Sequence, residues 1–166
     1  MNRVEKLVQT FLNEGQKTLD FFNQLPEDAW PLQLYSDGAQ WCIREVLAHI
    51  VDTESSLLQL FEDIRDGGRG LTQNIDIDEY NAKSVAILKG LPPQELLDEF
   101  KFRRKRMTKF VASLSEEDLG LEGKHPFLGE TTLEEMLRLF YLHVNLHIRD
   151  VRTLIKEQLR SGSGNS

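Results

Sequence analysis

LRLFYLHVNLHIRDV, residues 137–151, sets apolar side chains at three- and four-residue steps and places two histidines, His143 and His147, four positions apart. That period makes the stretch an amphipathic helix and not a strand. On a helix, positions i and i+4 lie about 40° apart around the axis and about 6 Å apart along it, so both imidazoles can converge on one ion. Met136, Leu139, Phe140, Leu146, Val151 and Leu154 define an apolar stripe with both histidines inside it, and both rings are expected to face inward. The periodicity predicts a helix from Leu133 to Leu159, with Thr131 and Glu134 as its capping box.

The same period recurs upstream. Val4, Leu7, Val8, Phe11, Leu12, Leu19 and Phe22 predict a helix over residues 3–25, ended by Pro26. Ile43, Val46, Leu47, Ile50, Leu57, Phe61 and Ile64 predict a second, starting behind Cys42 at the N-cap position with Glu45 three residues on, and stopping at GGRG, 67–70. A shorter helix is expected over 76–89. Pro92 and Pro93 then open a third long helix over 93–114, whose buried stripe is Leu96, Phe100, Met107, Phe110, Val111 and Leu114. SEEDLGLEGKHPFLGE, 115–130, reads as an irregular connection, with His125 beside Pro126 at the surface. No useful strand alternation and no internal repeat is visible. The expected fold is all-α: a four-helix up-down bundle with an extra short helix in its long connection, spanning 1–160, followed by a disordered tail over 161–166.

At 166 residues the chain suits one domain with a core that needs no staples. Twenty Lys and Arg against 27 Asp and Glu give a net charge of -7, which repels a phosphate backbone and argues against nucleic acid as a partner. The basic run Lys101, Arg103, Arg104, Lys105, Arg106 and Lys109 spreads around a helix and reads as a solvated face. No apolar run is long enough to cross a bilayer, so no membrane partner is expected. The opening residues lack a signal-peptide pattern and Cys42 is the only cysteine, which together predict a cytoplasmic protein without an internal disulfide.

A pair of inward histidines can be held by carbonyls or a carboxylate as well as by a metal. His49, in the middle of the second helix, is the candidate third ligand, and three protein ligands make an open transition-metal site. Glu45, Asp52, Thr53 and Ser56 lie at helical spacing around it. The carboxylates Glu45 and Asp52 are the candidates for supporting the ligands or moving protons. A zincin would need Glu directly after His143, where Val144 stands. A di-iron bundle would need two inward Glu-x-x-His motifs, and Glu122 to His125 is the one such spacing present. Cys42 as a nucleophile is a further alternative, seven residues and about 10 Å along the axis from His49.

WCIREVLAHIVDTE, 41–54, followed by LRLFYLHVNLHIRDV resembles the DinB/YfiT-like superfamily of metalloenzymes: a Trp before the second helix, a His within it, and a His-x3-His pair on the last helix. The resemblance covers nearly the whole chain. It implies a four-helix bundle, frequently a homodimer, in which His49, His143 and His147 bind a divalent metal such as zinc, nickel or iron. It further implies thiol-dependent S-transferase or isomerase chemistry on a small electrophile, as in bacillithiol S-transferases and mycothiol-dependent maleylpyruvate isomerases. A metal-dependent hydrolase or a non-catalytic helical metal- or ligand-binding module are the alternatives. The ion would act as a Lewis acid that lowers the pKa of a low-molecular-weight thiol or of water. Cys42, Asn145 and Asp150 depart from the common pattern, and the last two lie beside the expected site.

Overall fold

Asn2 opens the first helix, α1 (Arg3–Asn23): its side chain accepts from the Glu5 amide at 2.8 Å and the Glu5 carboxylate accepts from the Asn2 amide at 2.8 Å. This reciprocal pair satisfies two donors that a helix start otherwise leaves free. The computed structural model describes residues 1–163 and continues with α2 (Ile43–Arg65), α3 (Ile77–Leu88), α4 (Pro93–Ala112), a hairpin of β1 (Glu122–His125) and β2 (Gly129–Thr132), and α5 (Leu133–Ser163). Four long helices form the bundle and α3 is the short extra helix in the long connection, as expected from the periodicity.

Neighbouring contacts give each helix its direction. Val51 and Glu54 of α2 meet Arg103 and Arg104 of α4, and Arg65 lies over the Phe110 ring, so α2 and α4 run parallel. His49 faces His143 and His147 while Phe61 faces Phe140, so α5 runs against α2. Arg3 reaches Glu116 and Arg104 reaches the Phe11 carbonyl, which sets α1 against α4. The order is therefore up, down, down, up. The 27 residues between α2 and α4, α3 among them, are what carry the chain back to the end where α2 began.

Two apolar clusters fill the interior, one around Phe22, Trp41, Ile50, Phe100 and Val144, the other around Phe11, Phe61, Met107, Phe110 and Phe140. Where they meet, Arg104 is buried against Glu54 with contacts of 2.6, 3.0 and 3.1 Å, and its guanidinium lies over the rings of Phe11, Phe100 and Phe140. Gly15 leaves room for it: a Cβ there would sit 3.0 Å from Arg104 Cγ. Arg104 is thus a core residue and not part of a solvated basic face.

Four further expectations are corrected. The stretch expected to be irregular contains the β1–β2 hairpin, pairing Glu122 with Thr132 through His125 with Gly129. Four-residue strands carrying glycines show no alternation long enough to read. The start of α5 is capped by Thr132, whose hydroxyl accepts from the Glu135 amide at 3.3 Å, one residue later than the Thr131–Glu134 box; Glu134 instead pairs with Arg3 and Arg138. The buried seam of α5 is Leu133, Met136, Leu137, Phe140, Val144, Ile148 and Val151, with Leu146 exposed and both histidines at the seam's edge. Finally, α5 runs through Ser163 and takes in the first residues of the expected tail; 164–166 lie outside the described residues.

Candidate metal centre

The segment between α1 and α2 is fastened to the start of α2 by its backbone. The Ile43 and Arg44 amides donate to the Leu32 and Trp30 carbonyls at 3.0 and 3.2 Å, and the Leu34 and Tyr35 amides donate to the Trp41 carbonyl. Glu45 accepts from the Cys42 amide at 3.0 Å. These bonds do the work a Ser or Thr cap would do, so Cys42 is tolerated at the N-cap. They also carry Tyr35 across to α5.

There His49, His143 and His147 come together. His147 Nε2 lies 2.9 Å from His143 Nε2 and His49 Nε2 lies 3.4 Å from the same atom, and one nitrogen from each of the three falls within 4.8 Å of the others. The Trp41 ring covers His49 at a centroid distance of 4.8 Å. Burial pushes the His49 imidazole down to about 3 and His147 to about 4, with neighbouring His143 adding to both; burial lowers His143 as well. All three are neutral at pH 7, which is the form that ligates metal.

His147 has a fixed tautomer. The Tyr35 hydroxyl donates its one proton to Asp150 Oδ2 at 2.9 Å, so its oxygen accepts from His147 Nδ1–H at 2.8 Å. The lone pair of His147 is thereby left on Nε2, toward the other two rings. Burial and Asp150 raise the Tyr35 phenol, which stays protonated. A carboxylate acting on the outer nitrogen of a histidine is a recurring support for metal ligands. Three neutral imidazoles with Nε2 atoms gathered on one point fit a first-row divalent ion. Among the described residues no carboxylate joins that group.

The other candidates sit elsewhere. Glu45 is taken up by the Cys42 amide, and Asp52 by a hydrogen bond with Ser84 of α3 and the charge of Arg103. Asn145 turns toward α1 and donates to Glu14 at 2.8 Å, so it ties two helices together. Tyr35 and His125 went unnoticed as site residues. Asp150 carried a readable clue, lying one helical turn after His147.

A cavity of about 500 Å³, in the range that suits a small organic ligand, opens beside the centre. His49 and His143 line it, together with Thr53 and Ser56 of α2, Tyr80 of α3, and Phe127 and Leu128 of the hairpin. His125 lines it too. Far from being a surface residue it is 2% exposed, because the hairpin packs down: a Cβ on Gly123 would lie 2.6 Å from Ile64, and Gly70, at φ +74, lets its backbone approach Lys124. His125 Nδ1 accepts from the Phe127 and Leu128 amides at 3.1 and 3.3 Å, while its Nε2 is buried without a partner, as is His49 Nδ1. An unpaired buried donor costs about 1–3 kcal/mol.

The profile of the DinB superfamily matches residues 10–151. The chain belongs to the DinB superfamily. Among curated proteins none matches its sequence. Solved structures with the same fold include the mycothiol-dependent maleylpyruvate isomerase (TM-score 0.74, 15% identity, 90% of this chain covered). This DinB chain spans 61% of the isomerase's length. YfiT from Bacillus subtilis, described as a probable metal-dependent hydrolase with an unusual four-helix bundle topology, superposes with a TM-score of 0.73 at 18% identity over 95% of this chain and 90% of its own. The colibactin self-resistance protein ClbS, solved in complex with double-stranded DNA, superposes with a TM-score of 0.62 at 13% identity, over 93% of each chain. At these identities the likeness is one of fold.

Proposed function

We propose that this DinB protein is a divalent-metal-dependent enzyme that uses a low-molecular-weight thiol in an S-transferase or isomerase reaction on a small electrophile. The observation that carries the reading is the convergence of three neutral imidazoles from two helices at the wall of an apolar cavity. His49, His143 and His147 would hold the ion. Bound there, zinc, nickel or iron supplies Lewis acidity that brings the pKa of a thiol toward neutrality. The chain's own residues do the rest. Tyr35 and Asp150 hold His147 in the ligating tautomer, Trp41 covers His49, and the leucines and Phe127 of the cavity exclude water from the reacting groups. Glu45 and Asp52 enter as supports: one holds the start of α2, the other ties α2 to α3, and both keep His49 in place.

The mycothiol-dependent isomerase of the same fold supports the thiol, and the YfiT description supports the metal while pointing to hydrolysis. The reading includes a cytoplasmic homodimer that binds a small molecule and not nucleic acid, its assembly to be measured by sedimentation equilibrium. The experiment for the metal is elemental mass spectrometry on tag-free protein purified without chelator. Near one ion per chain is expected in the parent and loss of it in His143→Ala; full occupancy in that variant removes the assignment. Bacillithiol and mycothiol are then supplied with a panel of electrophiles. Turnover with thiol present supports transfer, and turnover of esters or amides without thiol supports hydrolysis instead.

A further inference from the structure

The hairpin brings to the cavity a group that neither the metal ligands nor the bundle requires. Two backbone amides, from Phe127 and Leu128, donate to Nδ1 of His125, so Nδ1 carries a lone pair and the ring proton of neutral His125 resides on Nε2. That N–H is buried and finds no acceptor among the described residues, although the ring lines the cavity. Buried donors are rarely left unpaired unless something outside the chain completes them. The cavity wall carries no Lys, Arg, Asp or Glu, so apart from an ion held by the three histidines it is uncharged and mostly apolar. It suits a mostly apolar molecule with an oxygen that accepts from His125. The ring is held firmly for such a task, its strand fastened to β2 and to the 69–71 backbone by hydrogen bonds.

We propose that His125 is a substrate-binding residue whose Nε2–H donates a hydrogen bond to a carbonyl oxygen of a largely apolar substrate in the cavity beside the metal centre. The proposal rests on the reading of that cavity as the substrate site. It adds a substrate class to the function: carbonyl-bearing, largely apolar electrophiles.

The test uses two probes of one shape, acetylnaphthalene and isopropenylnaphthalene, in which C=O is exchanged for C=CH2. Dissociation constants are measured by NMR titration of metal-free protein for the parent, His125→Asn and His125→Gln. Asn keeps an acceptor for the Phe127 and Leu128 amides but has no donor at the far edge of the ring, whereas Gln keeps a far donor. The ratio of the alkene's dissociation constant to the ketone's is expected to fall about five- to tenfold in His125→Asn, the worth of one hydrogen bond, and to recover in part in His125→Gln. In labelled-histidine spectra of the parent, the Nε2 proton should shift with the ketone and stay in place with the alkene. An unprotonated Nε2, an unchanged ratio in His125→Asn, or no binding of either probe to the parent overturns the proposal. Zinc uptake is measured on the same proteins to separate the two readings. An unchanged ratio in proteins that take up zinc removes the role of His125 alone; a changed ratio in a parent that takes up none removes the metal centre alone.

Discussion

Tyr35 has one proton and two neighbours, and that count decides the state of His147. In Tyr35→Phe the packing is kept but His147 Nδ1–H loses its acceptor and Asp150 loses its donor. Zinc affinity, read by competition with a coloured chelator, is expected to fall about 10–100-fold, with little change in thermal midpoint. An affinity equal to the parent's would mean that the tautomer is set by the ion alone. The three clustered histidines were legible in the sequence because helical spacing places His143 and His147 beside the buried seam of α5 and His49 on the buried face of α2. Tyr35 was not legible: it lies in the connection between α1 and α2, whose path is set by backbone bonds to the start of α2. His125 was misplaced for a related reason, since its burial depends on a hairpin folding over the α2 terminus.

At the scale of elements, α2 and α4 are joined by Glu54 and Arg104 inside the core. Burial pushes the Glu54 carboxyl up, and the guanidinium's charge and hydrogen bonds pull it back. Removing one partner strands the other, so Glu54→Ala is expected to lower unfolding free energy by about 3–5 kcal/mol in urea titrations. The double variant Glu54→Leu with Arg104→Met removes both charges and is expected to stand close to the parent or above it. If the double variant is as weak as the single, the pair contributes through packing that Leu and Met cannot replace. The hairpin depends on Gly129 at φ +69, the left-handed residue that closes a three-residue turn through Pro126, Phe127 and Leu128. Gly129→Val should loosen that turn, weakening ligand binding in the cavity more than bundle stability, a split seen by comparing probe titrations with thermal melts.

For the whole molecule, linkage ties the site to stability. Burial lowers His125 to about 4, below the ordinary value near 6.5, so between those values the unfolded chain holds the extra proton. Stability from this residue is present above about 6.5 and is lost as pH falls toward 4, amounting to about 2 kcal/mol between pH 7 and 5. His49 and His147 act in the same direction in metal-free protein. Urea midpoints of metal-free parent should therefore fall on acidification more steeply than those of His125→Asn; parallel curves would place the His125 titration at its unfolded value. At neutral pH, zinc at about a hundred times its dissociation constant should add about 2.7 kcal/mol to the folded state, raising the thermal midpoint by about 5–10 °C, and chelator should reverse this. The sequence by itself determined the four long helices, the short fifth, their approximate ends and the three histidines. Each of these follows from residues a few positions apart, where helical period and capping chemistry act. Only the tertiary structure decided that α2 and α4 run parallel, that Arg104 is a core residue, that Tyr35 reaches His147, and that His125 lines the cavity beside the histidines. Those outcomes depend on which distant surfaces bury one another, a competition among packing energies that no local pattern records.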